Sequence, residues 1–315
     1  MNINLFLNFL IMTSCIYCLN WVILDNKTMI KKVGTNTPFI GLGVIIIRLF
    51  LYYPFAFPII LTVPFPLFLR TLEDILKVTI YNISMINIFT FAWWLISSVL
   101  LVIFIYRNLK LLKLKHLLIK QNIKDNNVES IFKEIKDNLK IERFIFLAVS
   151  DNIQQSFTFG IIKPIVVIPK REYSKEELAF IIKHELFHVK YLDVLWKFSF
   201  NILKIIYWWL PTIHIISKQL DTYLEIRCDD NCLKHEKYDV KIKYLDCLLK
   251  EVRLNKSVSD SLVTSINTNK TILEKRFEVI LSDVPLKRRS KRYLKIIIIF
   301  IFMLSFALLF VPYTH

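Results

Sequence analysis

The sequence has few acidic residues, cysteines and histidines. Its 26 acidic side chains face 42 basic ones, which gives the 315-residue chain a formal charge of +16. Its five cysteines do not suggest the disulfide framework of a small secreted protein, and two of them, Cys15 and Cys18, lie in an apolar segment. Because the chain has only six histidines, any regular spacing between two of them stands out.

Apolar residues, in contrast, are abundant. They make up 55% of the chain, and the mean hydropathy is +0.47. These values do not suit a soluble globular enzyme, whereas a membrane protein with basic cytoplasmic loops would show both the apolar excess and the positive charge. We expect membrane lipid as a partner and no direct contact with nucleic acid, because the basic residues cluster beside apolar runs and do not form a stripe with stacking aromatics.

Four apolar stretches are candidate membrane spans: residues 3–24, 37–69, 83–105 and 296–311. Arg48 and four prolines interrupt the second stretch, which predicts a span followed by broken structure at membrane level. Basic residues flank the region between the last two spans, so the positive-inside rule places it in the cytoplasm and both termini outside. The sequence therefore predicts three spans in residues 1–106, a cytoplasmic domain in 107–290, and a fourth span with a short outer tail in 291–315.

The cytoplasmic region contains the motif His184-Glu185-Leu186-Phe187-His188. On a helix, residues four apart lie on one face, so both imidazoles can bind one metal ion. Glu185 points about 100° away, where it is poorly placed as a third ligand but well placed to take a proton from a metal-bound water. A chance match has odds of roughly one in a hundred. Ser174 and Glu177 form a capping box that predicts a helix start just before the motif.

A catalytic zinc site needs a third protein ligand, since three protein groups and one open position are the rule. The downstream carboxylates that qualify are Asp193, Asp221, Glu225, Asp229 and Asp230. We favour Glu225, with Asp229 one helical turn later as an acceptor that fixes a histidine ring. Two interpretations of Asp193 stay open: it accepts a hydrogen bond from a histidine ring, or it lies on a helix surface. Cys228 is interpreted as a small packing residue.

Three β-rich segments bounded by glycine and proline precede the motif, at 144–149, 156–160 and 164–169, and predict a small sheet. The strand Pro164, Ile165, Val166, Val167, Ile168 is predicted to pair with an extended substrate. The alternative interpretation of the strand is an ordinary core position.

Two further segments are predicted from composition. Residues 194–216 are almost apolar enough to cross the membrane, but a crossing would separate Glu225 from the histidines, so we expect the segment to turn back at Pro211, against the bilayer surface. Residues 256–271 are rich in Ser, Thr and Asn, which predicts a mobile loop and a candidate self-cleavage site before a helix at 272–281.

Several strings of residues together resemble the M56 family of membrane zinc peptidases, to which the integral-membrane β-lactam sensor-transducers belong. The strings are Thr158-Phe159-Gly160, Lys163-Pro164 and Pro169, the motif with Asp193, Tyr207-Trp208-Trp209 with Pro211, and Glu225-Ile226-Arg227-Cys228-Asp229. The resemblance covers residues 1–312 and is strongest from 156 to 230. It implies one catalytic Zn²⁺ held by His184, His188 and Glu225, with Glu185 as general base.

Two departures from the family pattern change the expectations. The family commonly has Trp-Phe-Asn-Pro where this chain has Trp208-Trp209-Leu210-Pro211. The sensor-transducers carry an outer penicillin-binding domain after the fourth span, whereas this sequence ends at His315. We therefore expect no β-lactam sensing by acylation, and a signal that comes through a partner, the lipid or the outer loop at residues 70–81.

The sequence as a whole predicts an α+β membrane protein with about four transmembrane helices and a cytoplasmic zincin-like metallopeptidase domain, helical with a small β-sheet. The expected activity is hydrolysis of a peptide bond in a cytoplasmic protein substrate, such as a transcriptional repressor, or self-cleavage in transmitting a signal. A transducer that binds a partner without proteolysis and a quality-control protease for membrane proteins are the alternatives. A homodimer is left open.

Overall fold

The computed structural model describes residues 39, 42, 43, 46, 59–63, 79, 80, 83–120, 125–234, 236–256, 263–281 and 308–312. In chain order the elements are β1 (Ile59–Val63), β2 (Thr79–Ile80), β3 (Ile83–Ser84), α1 (Met85–Lys120), α2 (Asn126–Asn138), β4 (Phe146–Ser150), β5 (Phe157–Phe159), β6 (Ile165–Pro169), α3 (Lys175–Lys190), α4 (Asp193–Ile206), α5 (Pro211–Leu233), α6 (Tyr238–Lys256), α7 (Val263–Leu281) and β7 (Leu308–Pro312).

The chain divides into two compact units. The first combines Met1–Ile105, Phe200–Ile216 and Val284–His315, and the second combines Tyr106–Ser199 with Ser217–Asp283. The helices α1, α4 and α5 each contribute residues to both units.

Helix α1 is the one helix, among the described residues, that is long and apolar enough to cross a membrane. The qualifying part is Asn87–Lys120, and large apolar side chains such as Phe91 and Trp94 are 70% and 65% exposed on it. The predicted span 83–105 falls mostly within α1. The predicted span 3–24 and residues 296–307 of the fourth span lie outside the described residues.

The end of the predicted fourth span is a strand, which corrects the expectation of a helix to residue 311. Strand β7 pairs in parallel with β1, which lies within the predicted second span. Pro58 and Pro64 flank β1 and Pro312 ends β7, so a continuous helix through these residues is disfavoured. The four-span topology therefore stays a prediction.

The apolar run 194–216 is broken into two helices, as predicted. Helix α4 ends at Ile206 and α5 begins at Pro211, where a proline at the first helical position needs no hydrogen-bond acceptor for its nitrogen. The backbone N–H of Leu210 donates to the carbonyl of Tyr207 and closes the turn between them.

The second unit contains the predicted small sheet, in the strand order β4-β6-β5. Strand β6 is its centre, with β4 parallel on one side and β5 antiparallel on the other. All five residues of β6 are buried. The prediction that Pro164, Ile165, Val166, Val167 and Ile168 pair with a substrate is therefore wrong, because the backbone groups on both edges of this strand are already paired.

Helix α3 packs on this sheet through its apolar face. Leu178, Ile182 and Leu186 are buried in one cluster with Val166 and Ile168 of β6. The helix begins with the predicted capping box, in which Ser174 and Glu177 each bond the backbone N–H of the other. The His-Glu-x-x-His motif lies in the last two turns of α3, which the sheet holds in place.

Helix α7 begins at Val263, so the predicted mobile loop at 256–271 is wrong for residues 263–271. Residues 257–262 lie outside the described residues. The composition misleads here because Ser, Thr and Asn cost at most about 0.7 kcal/mol each in a helix. Packing of the later turns, where Val279 and Ile280 are buried, offsets that cost. A self-cleavage site at 263–271 would require this helix to unwind first.

Candidate metal centre

The two motif histidines face each other at the C-terminal end of α3. Nε2 of His184 lies 3.1 Å from Nε2 of His188, and the rings are inclined by 82°. Each residue is only 9% exposed. The helical spacing of four residues thus directs two ring nitrogens toward one point.

Glu225 reaches the same point from the middle of α5. Its Oε2 lies 3.3 Å from Nε2 of His184, and its Oε1 lies 3.8 Å from Nε2 of His188. The three side chains offer ligand atoms that all lie within 4.8 Å of one another. The structure therefore brings together the three residues predicted as metal ligands, although they come from two helices 37 residues apart in sequence.

The spacing of these three atoms fits a divalent metal. A tetrahedral zinc with bonds of about 2.0–2.1 Å separates neighbouring ligand atoms by about 3.3 Å. The distances of 3.1, 3.3 and 3.8 Å scatter around that value. Two imidazoles and one carboxylate are also a typical donor set for catalytic zinc. The ligand assignment itself stays a prediction.

Asp193 and Asp229 lie on the opposite sides of the two rings. Oδ2 of Asp193 is 2.7 Å from Nδ1 of His188, and Oδ1 of Asp229 is 3.2 Å from Nδ1 of His184. The hydroxyl of Tyr244 lies 3.0 Å from the same Nδ1 and donates to Asp229 at 2.6 Å. A carboxylate that accepts the Nδ1 proton leaves the Nε2 lone pair free for a metal.

The buried Arg227 and the partly buried Arg276 neutralise these carboxylates. Arg276 of α7 binds Asp229 through Nε and Nη2, both at 2.7 Å, and its Nη1 lies 3.2 Å from Oε2 of Glu225. Arg227 pairs with Asp193. The sequence reasoning missed Arg276 and Tyr244. No local pattern marks them, since they lie on α6 and α7 and reach the centre through tertiary contacts.

The protonation of the centre follows from these contacts. Burial alone would lower the pKa of His184, but its hydrogen bonds to Asp229 and Glu225 outweigh burial and hold the pKa well above 6.5. Burial would raise the pKa of Glu225, yet the contact with His184 and the charge of Arg276 hold it well below 4.5. Burial would likewise raise the pKa of Asp229, and the same two neighbours lower it to about 2.

Cys228 lies beside the centre without joining it. Its Sγ is 3.3 Å from Nδ1 of His188 and 3.5 Å from Oδ2 of Asp193, so the three could form a second donor group. Burial and the charge of Asp193 raise the pKa of this thiol well above 9.0. A protonated thiol is a poor metal ligand, and Arg227 already neutralises Asp193. These contacts favour the packing role predicted for Cys228.

Glu185 lines the same cavity as the metal centre. The cavity has a volume of about 270 Å³, and its walls include Thr158, His184, His188 and Glu225. Oε2 of Glu185 accepts a 2.7 Å hydrogen bond from the hydroxyl of Thr158 on β5. Glu185 is only 5% exposed. The Glu185 carboxylate thus shares one small cavity with the three side chains predicted as metal ligands, an arrangement that hydrolysis assisted by a metal would require.

Comparison with known proteins assigns this chain to a family. The sequence profile described as BlaR1 peptidase M56 matches residues 73–280. The chain is 32% identical over 185 residues to Regulatory protein BlaR1 of Bacillus licheniformis, a match that covers 58% of this chain and 30% of that protein. It is 30% identical over 229 residues to Regulatory protein BlaR1 of Staphylococcus aureus, with 70% of this chain and 38% of that protein covered.

A third relative is the Methicillin resistance mecR1 protein of Staphylococcus aureus strain Mu50. The identity is 28% over 193 residues, which cover 56% of this chain and 32% of that protein. The matches span about a third of the length of these curated relatives.

Proposed function

This chain belongs to the BlaR1 peptidase M56 family, and on that premise we propose that it is a membrane zinc endopeptidase that hydrolyses a peptide bond in a protein substrate. The observation that carries the proposal is the shared cavity of His184, His188, Glu225 and Glu185. A metal site with a purely structural role does not need a carboxylate that faces the cavity beside the ligands. Peptide hydrolysis needs such a base.

In this proposal His184, His188 and Glu225 hold Zn²⁺. When bound, zinc supplies a Lewis acid that polarises the scissile carbonyl and makes water easier to deprotonate. Asp193 and Asp229 hold the two rings in the orientation that presents Nε2.

Glu185 accepts the proton of the attacking water and delivers it to the leaving amine. The Thr158 hydroxyl occupies Oε2 of Glu185, which leaves Oε1 to exchange the proton. Because Thr158 belongs to β5, the strand fixes the rotamer of the base relative to the histidines.

The substrate is proposed to bind as an extended strand along β5. Within the described residues β5 pairs with β6 alone, so its other edge has backbone groups to offer. Phe157 and Thr158 of β5 line the cavity. An extended peptide added to that edge would pass over the metal centre, which is the role that the sequence reasoning gave to β6.

The substrate is proposed to be a cytoplasmic protein that takes part in signalling. The support is that the relatives carry the names Regulatory protein and Methicillin resistance protein. A transcriptional repressor and the chain itself are the two substrates to test first. The proposed location is the membrane, with the second unit on the cytoplasmic side. This accords with the apolar first part of α1 and with the basic residues that begin at Arg107 in its second part.

The test combines metal content with cleavage in the detergent-purified full chain. Glu225→Gln should lose zinc, and Glu185→Gln should keep about one zinc per chain but fail to cleave a quenched-fluorescence peptide library. Asp221→Asn is the matched control, since this carboxylate lies on the same helix as Glu225 and is half exposed. Zinc that is absent from the wild type, or that Glu225→Gln retains, would refute the proposal.

Cleavage has to be separated from binding. Zinc-loaded protein that binds a repressor but does not cut it, or the library, would favour the transducer that acts without proteolysis. The Glu185→Gln variant then gives the same result as the wild type in the binding assay and in the cleavage assay.

A further inference from the structure

Protein donors satisfy most of the carbonyl groups in the turn between α4 and α5. The last residues of α4 and those of the turn have carbonyl groups that an ordinary helix end would expose to solvent. Trp93 Nε1 donates to the carbonyl of Ile206 at 2.7 Å, and the Ser97 hydroxyl donates to that of Ile205 at 3.1 Å. These donors lie on α1, in the same compact unit as the turn.

Three further turn carbonyls are satisfied from the turn itself. Nε2 of His214 lies 2.9 Å from the carbonyl of Trp208 and donates to it. The carbonyl of Tyr207 accepts from the N–H of Leu210, and that of Leu210 accepts from the N–H of Ile213. A water-exposed turn has no need of three side-chain donors, whereas a turn in hydrocarbon must satisfy its backbone internally.

The composition of the segment fits hydrocarbon as well. Residues 198–217 contain no aspartate, glutamate or arginine, and one lysine, Lys204. A lysine one turn before the tip can extend its ammonium back along the helix toward the surface. Trp209 at the tip packs edge-on against Phe89 of α1, with ring centroids 6.4 Å apart.

The residues of α1 that contact the turn lie far from the basic part of this helix. Trp93 and Ser97 precede Arg107, the first basic residue after the apolar part, by 14 and 10 residues. At 1.5 Å per residue these separations are about 21 and 15 Å. The hydrocarbon core of a bilayer is about 30 Å thick. If Arg107 marks the cytoplasmic boundary, the turn lies near the middle of the bilayer.

We infer that residues 200–216 form a re-entrant hairpin, which enters the bilayer beside α1 as the end of α4 and leaves it as the start of α5. Its partner is the acyl chain region of the lipid. This differs from the surface position expected from the sequence. Helix α5, which begins at the hairpin tip with Pro211, also contains Glu225. The inference rests on the proposed membrane location.

The test measures the depth of Trp209 in lipid. The full chain is reconstituted into phosphatidylcholine vesicles whose acyl chains carry bromine, a fluorescence quencher, either near the bilayer centre or near the headgroup. The fluorescence of one tryptophan is obtained as the difference between the emission of the wild type and the emission of the variant in which Phe replaces that tryptophan. Trp209→Phe reports the tip, and Trp196→Phe is the matched control on the same α4–α5 segment, ten residues before the end of α4.

Deep bromine should quench the Trp209 contribution at least twofold more than shallow bromine, and the Trp196 contribution should show the opposite order. Equal or weaker quenching of Trp209 by deep bromine would overturn the hairpin. Trp208→Phe repeats the measurement at the adjacent position, and retained zinc shows that each variant is folded. A chain that does not float with the vesicles in a density gradient would overturn the membrane location itself, whereas floating with unquenched Trp209 overturns the hairpin alone.

Discussion

The hydroxyl of Thr158 donates a 2.7 Å hydrogen bond to Oε2 of Glu185, and so connects the edge strand β5 to the proposed general base. Both residues line the cavity that contains the metal centre. The hydrogen bond restricts the carboxylate to one orientation. It also leaves the second carboxylate oxygen as the one available to water.

Replacing Thr158 by Val should therefore slow cleavage without releasing zinc. Val has nearly the same shape but lacks the donor, and a hydrogen bond to a charged group contributes about 1.5–3 kcal/mol. If that contribution is fully used in the transition state, kcat falls by roughly 10- to 100-fold while KM is unchanged. The measurement is steady-state cleavage of a fluorogenic peptide.

Thr158→Ser is the matched control, because it restores the hydroxyl and should recover most of kcat. A purely structural role of Thr158 would instead lower zinc content and thermal stability in both variants. Wild-type kcat in the Val variant would contradict the positioning role.

Pairing of the substrate with β5 predicts an alternating pattern in the substrate backbone. Successive N–H groups of an extended strand point to opposite sides, so only every second one can face β5. N-methylation at those positions should raise KM by about 2- to 10-fold each, the loss of one hydrogen bond. N-methylation at the intervening positions is the control. A uniform response along a set of singly methylated peptides would exclude strand pairing.

The sequence and the structure agree where local spacing decides. The capping box, the helical spacing of His184 and His188, and the three strand segments were all predicted, because each depends on residues close in sequence. The order of the strands was not, since β6 is central only through its pairing with β4, which a local pattern does not encode. A fully buried strand with Pro164 before it has the same composition whether it lies at an edge or at the centre.

Long-range contacts also explain the residues that were missed. Tyr244 and Arg276 come from α6 and α7, and neither stands in a spacing that relates it to the motif. Glu225 and Asp229 were found because a zinc site with two histidines demands a third ligand on a nearby helix. Zinc chemistry therefore singles out Glu225 from the sequence, and the structure places its carboxylate beside His184 and His188. No such chemical signal exists for Tyr244 and Arg276.

Substitution of Arg276 should greatly lower the stability of the folded protein. Arg276 binds Asp229 through two hydrogen bonds and contacts Glu225, so Arg276→Met would leave the buried Asp229 and the partly buried Glu225 without their cation. Breaking a buried ion pair typically costs about 3–5 kcal/mol. We expect a clear fall in the thermal unfolding midpoint of the detergent-purified protein. The exposed neighbour Lys275 gives the control Lys275→Met, which should change little. Equal midpoints for the two variants would show that Arg276 does not stabilise the centre.

Zinc binding should release about one proton at pH 7. In the metal-free centre burial would lower the pKa of His184, but its hydrogen bonds to Asp229 and Glu225 hold the pKa well above 6.5, so this ring keeps its proton to a higher pH than a free imidazole does. A metal binds only the neutral imidazole, and the proton must leave. Glu225, whose pKa is well below 4.5, is already ionised and releases none. Zinc affinity should accordingly fall as the pH decreases below the pKa of His184.

Calorimetric titration of the metal-free protein with zinc, in two buffers of different ionisation enthalpy, counts the released protons. In Asp229→Asn the strongest neighbour that raises the pKa of His184 is lost, so a smaller release is expected at the same pH. Glu185→Gln is the control that leaves the ligands and their partners in place, and its release should equal that of the wild type. A wild type that binds zinc without proton release would mean that His184 is neutral in the metal-free centre, and that the contact with Asp229 orients the ring without holding a proton on it.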